Sequence, residues 1–266
     1  MSHLPVELCS MIVSHFADDR QTLLSLLLVS RNFLHEACRF LYRAIYIQKD
    51  HQRDHHVHVP LSNPTERAYY ASLVRSLTID PRTVSHTSIR RLLSSTTNLE
   101  DLHFTTELTH NDVLAILRWK YPFKLKTLSI HARFHPILLA FFKSQSNIRT
   151  LAWDPIQSPA QCLPSDARLL PNVTSLKTWG SAIMDSPWFM EITNVRHLCI
   201  SAARGGYVDL HRQASKGSER ITSLRLHKFI QKTQVSLIST LFPNLQYLDA
   251  RFMEVSFLFL SSISHY

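Results

Sequence analysis

Sixteen histidines, four cysteines and only four glycines are the residues of this 266-residue chain that bear most directly on chemistry. Histidine is a frequent metal ligand and proton carrier, and His51, His55, His56 and His58 crowd into one short stretch. Their spacing is not that of a helical HxxxH site, and no thiolate or ordered set of carboxylates accompanies them. The cluster reads as a solvated loop, and no metal is expected. Cys9, Cys38, Cys162 and Cys199 lie far apart with no CxxC pair, which argues against a disulfide or zinc framework and suits a reducing compartment. Gly180, Gly205, Gly206 and Gly217 build no P-loop, no GxGxxG and no nucleophile elbow. No HExxH or comparable spacing selects a set among the many His, Ser and Asp residues. The expectation is a protein without catalytic residues or cofactor, not an enzyme, whose chemistry is binding.

Bulk properties narrow the partners. Hydrophobic residues make up 45% of the chain, enough for a sizeable core. No run approaches the roughly 18 apolar residues of a membrane span, and the start lacks the features of a signal peptide. A cytoplasmic or nuclear protein with no membrane partner is expected. The net charge is +9, but no stretch concentrates it as a nucleic-acid arm would, so nucleic acid is not the expected partner.

From residue 73 onward one phrase recurs: an aliphatic residue, two others, Leu, a polar residue, an apolar one. It starts at Val74, Leu99, Leu125, Ile148, Val173, Val195, Ile221 and Leu245. Internal similarity at a period of 22–26 residues is the signature of a leucine-rich-repeat solenoid. The last two apolar residues of each phrase sit two apart and share one face of a short strand. Between phrases, Ile89–Leu93, Val113–Leu117, Ile137–Phe142 and Val235–Leu241 carry helical spacing. Pro155, Pro159, Pro164 and Pro171 should break the helix in 154–170. The Asn or Cys that often follows the last strand leucine is absent, so an irregular solenoid is expected, with parallel strands on the concave face and helices on the convex face. In the fifth phrase Thr178 stands where an apolar residue belongs, and Trp179 is expected to replace it through a bulge. Trp119, Trp153, Trp179 and Trp188 read as packing residues between repeats. The chain reaches Tyr266 without a polar closing unit, which suggests a short or truncated member of its class.

The first 47 residues are different. Leu4-Pro5 suits a helix start, because the first N–H groups of a helix have no intrahelical partner. Leu8, Ile12 and Phe16 recur at helical spacing with Met11 beside them. After Ala17-Asp18-Asp19, Thr22 is a candidate cap for a second run, Leu23 to Val29, and Ser30 restarts the chain ahead of Phe33, Ala37 and Leu41. Three such helices are too small for a self-sufficient core. The order LPxE, spaced apolar residues, an acidic break, a Leu-rich run, Val-Ser-Arg-x-Phe and Leu-Tyr-x-x-Ile resembles the F-box. That resemblance implies docking on the Skp adaptor of a Skp–cullin–F-box (SCF) ubiquitin ligase, and through it on a cullin. Leu4, Pro5, Leu8, Ile12, Leu23, Leu26, Val29 and Phe33 match the motif's apolar positions and are the expected adaptor-binding residues.

The resulting expectation is an α/β protein in three parts: an F-box over 4–47, a connector over 48–72, broken by Pro60 and Pro64, and a solenoid over 73–266. Its function would be substrate recognition for an SCF ligase, with protein ubiquitination as the outcome. A non-catalytic interaction scaffold whose N-terminal helices merely cap the stack is the alternative. The substrate, an unidentified protein segment of acidic or phosphorylated character, is assigned to residues flanking the buried leucines of the later repeats: His131, Lys177, Trp179, His197, Arg225, His227, Tyr247 and Arg251. Arginine and aromatic groups are the residues that protein hot spots favour.

Overall fold

In a computed structural model, which describes residues 4–47, 64–133, 135–154, 170–179, 194–201, 218–231 and 235–253, the chain is an α/β protein built on one parallel sheet. Three helices come first: α1 (Val6–His15), α2 (Arg20–Leu26) and α3 (Arg31–Leu41). Nine strands follow, β1 (Ala44–Ile47), β2 (Ser76–Ile79), β3 (Asp101–Leu108), β4 (Thr127–Ala132), β5 (Thr150–Asp154), β6 (Ser175–Trp179), β7 (His197–Ser201), β8 (Ser223–Gln231) and β9 (Tyr247–Met253). They lie side by side in chain order, every pair parallel. Between strands stand α4 (Pro64–Leu73), α5 (His86–Ser95), the short α6 (His110–Asp112) continued by a π-helical turn Val113–Leu117, α7 (Pro136–Ser144) and α8 (Val235–Leu241). No described helix is long and apolar enough to cross a membrane.

The repeated phrase sets the register. Ile45, Leu77, Leu102, Leu128, Leu151, Leu176, Leu198, Leu224 and Leu248 stand opposite one another across the whole sheet. From Leu77 to Leu224 this row is buried, each leucine contributing about 1.5–3 kcal/mol by leaving water. The aliphatic residue that opens each phrase, from Val74 to Ile221, joins the same continuous core, as do Ile89 and Leu93 of α5, Leu138, Phe141 and Phe142 of α7 and Ile238 of α8. Trp153 closes against Phe142 edge to face, ring centroids 5.5 Å apart. A strand buried only on its inner face must alternate, and it does: Leu102 and Phe104 are buried, Asp101 and His103 are not.

Several expectations need correction. The sheet has a ninth strand, β1, inside the segment 4–47. Pro64 does not break structure; it opens α4, where a missing N–H costs no hydrogen bond. Thr22 is not the cap of α2. Asp19 is, accepting from the backbone N–H groups of Gln21 and Thr22 at 3.1 Å, and the Thr22 hydroxyl donates to the same carboxylate at 2.7 Å. No bulge displaces Thr178: it pairs directly with Ile200, Trp179 pairs with Ser201, and Thr178 is itself buried. The bulges fall elsewhere, after His103 and after Leu226. Trp119 is 47% exposed rather than packed between repeats; the Arg90 guanidinium lies over its ring at 4.7 Å. The histidines at 51–58, Cys162, Trp188, the prolines at 155, 159 and 164 and the side chain of Trp179 lie outside the described residues.

A recurrent asparagine, unread in the sequence, ties one unit to the next. Asn98, Asn172, Asn194 and Asn244 each immediately precede the aliphatic residue of a phrase. Their side-chain amides donate to the carbonyls of Ser72, Ser146, Pro171 and Glu219 at 2.7–3.0 Å. Each acceptor lies two residues before the opening aliphatic residue of the preceding phrase, so the bond joins equivalent points of neighbouring units. In the unit that begins with Leu125, Lys124 replaces asparagine and reaches the Ser144 carbonyl of the following unit at 2.8 Å. Gln145 makes a further link from the interior: its side-chain oxygen accepts from the Leu125 N–H at 2.9 Å, and its amide donates to the Phe123 carbonyl at 3.3 Å.

Candidate interaction surfaces

The N-terminal helices enclose a small core of their own, formed by Cys9, Val13, Leu23, Phe33 and Ala37. Asp19 caps α2, and Ser30 caps α3 by accepting from the Phe33 N–H; the intervening turns fold both helices back onto α1. Asn32 adds a bond to the Leu4 carbonyl at 3.4 Å. The head is joined to the sheet through aromatic contacts with α4, Tyr42 against Tyr70 at 4.7 Å and His35 against Tyr69 at 6.2 Å. Glu36, buried on α3, is held by Arg39 at 3.0 Å.

Outside that core the helices present bare apolar groups. Of the residues expected to meet an adaptor, Leu4, Pro5, Leu8, Ile12 and Val29 are exposed. Leu23 and Phe33 are turned inward and buried, and Leu26 is partly buried against them, so these three shape the surface from beneath rather than line it. The exposed set is also larger than the motif indicates. Val6, Met11, Leu24, Leu28 and Leu34 belong to it, Leu28 at 89% exposure. The motif's register could not separate the two groups, because a helix of alternating Leu positions leaves open which stripe finds the neighbouring helix.

The second surface is the polar face of the sheet. Tyr46, Thr78, His103, Ser129, Ala152, Lys177, Cys199, Arg225 and Asp249 form one row across it. A second row runs alongside, and its later members are Ser175, His197, Ser223 and Tyr247. Of the residues assigned to substrate, Lys177, His197, Arg225 and Tyr247 are therefore brought together. His131 sits three strands from Cys199, level with Glu107 and Asp154. Arg251 is not level with His227: the bulge places it opposite Phe229. Trp179 ends β6 next to Ser201.

This face is largely neutralised. The Arg225 guanidinium bonds the Asp249 carboxylate at 2.8 Å, and the hydrogen bond to Tyr247, reinforced by Asp249, raises its pKa further. Burial lowers the pKa of His131, with Lys177 acting in the same direction, and burial lowers that of His103. Both imidazoles favour the neutral form. Burial also pushes the Cys199 thiol up, so it is not poised as a nucleophile. Among the described residues no group of three or more His, Cys, Asp or Glu is placed to hold a metal ion. The face can donate and accept hydrogen bonds, but it offers little net charge. No protein-family model matches the chain, and no curated protein matches it in sequence.

Proposed function

We propose that this protein is the substrate-recognition subunit of an SCF-type ubiquitin ligase, with an F-box in its first 47 residues and a leucine-rich-repeat solenoid behind it. The observation that carries the reading is the apolar surface of the N-terminal helices. Leu8, Met11, Ile12, Leu28 and Val29 stay exposed although a small core forms directly beneath them. Exposed large apolar groups in this number on three short helices are what a protein partner covers, and covering five or six of them offsets the several kcal/mol that association costs. In this reading the Skp adaptor covers them, and the sheet, fixed to the head through α4, holds the substrate. The subunit supplies no bond-making group. It raises the effective concentration of a substrate lysine near the conjugating enzyme.

Co-expression with the Skp adaptor tests this. The two chains should copurify, and Leu4→Asp with Pro5→Ala should abolish copurification. Purification of a monodisperse chain that ignores the adaptor, or copurification indifferent to those changes, favours the interaction scaffold instead.

A further inference from the structure

The charge missing from the polar face lies at the leading edge of the sheet, where the chain enters each strand. A cleft of about 1040 Å³ opens there, and Lys126, Arg149, Thr174, Arg196, His197 and Arg220 are among the residues that line it. Lys126, Arg149, Thr174 and Arg196 occupy the same position in four successive units, directly after the opening aliphatic residue. Backbone bonds fix that alignment. The Lys126 carbonyl accepts from the N–H groups of Arg149 and Thr150, that of Arg149 from Thr174 and Ser175, and that of Thr174 from Arg196 and His197. The asparagine amides of Asn172 and Asn194 are tied to backbone carbonyls of the preceding units, which cross-links the floor.

Acidic partners mark where the cationic row stops. Glu100, one unit earlier, bonds Lys126 at 2.8 Å and Arg75 at 3.5 Å. At the far end Glu219 lies 3.9 Å from Arg220. Between them Arg149 and Arg196 are exposed and, among the described residues, neither has a carboxylate partner. Among the described residues the lining contains no Asp, Glu, Phe, Tyr or Trp.

From these features we infer that the cleft is the docking site for an extended, acidic peptide segment of a partner protein. Two exposed arginines with a small threonine between them suit anionic side chains, which guanidinium groups bind bidentately. Adjacent strands are about 4.8 Å apart, so Arg149 and Arg196 spring from points about 9.6 Å apart. A peptide in the polyproline-II conformation rises about 3.1 Å per residue and returns a side chain to the same face every third residue, about 9.3 Å on. The matching segment therefore carries acids three residues apart. Single-stranded nucleic acid fits less well, because its grooves combine positive charge with aromatic rings for the bases to stack on, and the described residues of this lining supply none. The site deepens the substrate-receptor reading and rests on it only for the partner being a substrate.

The test is fluorescence anisotropy on the full chain. Probes are a twelve-residue peptide with Glu at every third position, the same peptide with phosphoserine there, a Gln version, and a permuted one with the acids clustered. The Glu or phosphoserine peptide should bind, and the tighter of the two identifies carboxylate or phosphate as the natural group. The Gln and permuted peptides should bind at least about tenfold more weakly. Arg149→Glu with Arg196→Glu should weaken binding by about tenfold or more, while Arg82→Glu with Arg133→Glu, exposed positions just past the ends of β2 and β4, leaves it unchanged. Equal binding by the Arg149/Arg196 variant, equal binding of the Gln or permuted peptide, or tighter binding of single-stranded RNA at the same residues overturns the inference. Adaptor copurification and thermal melting on the same samples separate a failed peptide site from a failed adaptor reading and from misfolding.

Discussion

Arg225 on β8 holds Asp249 on β9 through a 2.8 Å ion pair that crosses from one strand to the next on the polar face. The pair turns a cation that looked available for a ligand into a link between units. Reversing Arg225 to Glu should lower the melting temperature, and adding Asp249→Arg should restore part of the loss. Equal melting of the single and double variants would show that the pair does not couple the strands.

Substitutions in the N-terminal helices should divide according to burial. Leu28→Asp and Met11→Asp alter exposed positions and should leave the fold intact while abolishing adaptor binding. Leu23→Ala opens the small core and should cost about 2–5 kcal/mol, read by denaturant unfolding. If Leu28→Asp unfolds the protein as readily as Leu23→Ala, the exposed surface is structural.

Each asparagine of the inter-unit ladder replaces solvent at a backbone carbonyl. Asn98→Ala, Asn172→Ala and Asn244→Ala should each lose about 0.5–1.5 kcal/mol. The losses should add, since the sites belong to different units and share no partner. Aspartate at these positions should be no better than alanine, because a carboxylate cannot donate to a carbonyl. Urea titration of the single and combined variants checks this.

Gln145 is buried and serves two backbone groups at once, the Leu125 N–H and the Phe123 carbonyl. Gln145→Ala leaves both without that partner, at about 1–3 kcal/mol for each. Gln145→Glu should also destabilise, since an ionised Glu can accept from Leu125 but cannot donate to Phe123. Chemical denaturation of both variants measures the difference.

Stability should fall on acidification. The imidazoles of His103 and His131 have folded-state pKa values held below the ordinary 6.5 by burial, so the unfolded chain binds more protons as pH drops through that value. Their contribution is full above about pH 6.5 and is lost as pH falls toward the lowered values. His103→Gln with His131→Gln should flatten the melting temperature between pH 7 and 5. An unchanged slope would assign the acid sensitivity to other groups.

Much of the sheet was legible because Leu77 through Leu248 recur with one spacing and one neighbour pattern. β1 was missed because Ala44–Ile47 contributes only Ile45 and Ile47 to the inner face and lies inside a stretch that reads as helical motif. α4 was missed because Pro64 suggests a break when it is read without its neighbours. The ladder was legible in principle: Asn before an aliphatic residue recurs, but its partners are backbone carbonyls, which leave no trace in side-chain identity. The same limit hid the cleft. Arg149 and Arg196 are 47 residues apart in sequence, and only the register of β5 to β7 brings them to one edge.

Because every described strand is hydrogen-bonded to the strands before and after it in the chain, a whole unit can be duplicated or deleted without altering the pairing of the other described strands. A gene encoding such a protein can lengthen or shorten its product in steps of about one unit. Every step placed between Arg149 and Arg196 would move the two guanidinium groups apart or together by one strand spacing, so the same kind of event that changes length would also rewrite which acidic sequence is recognised.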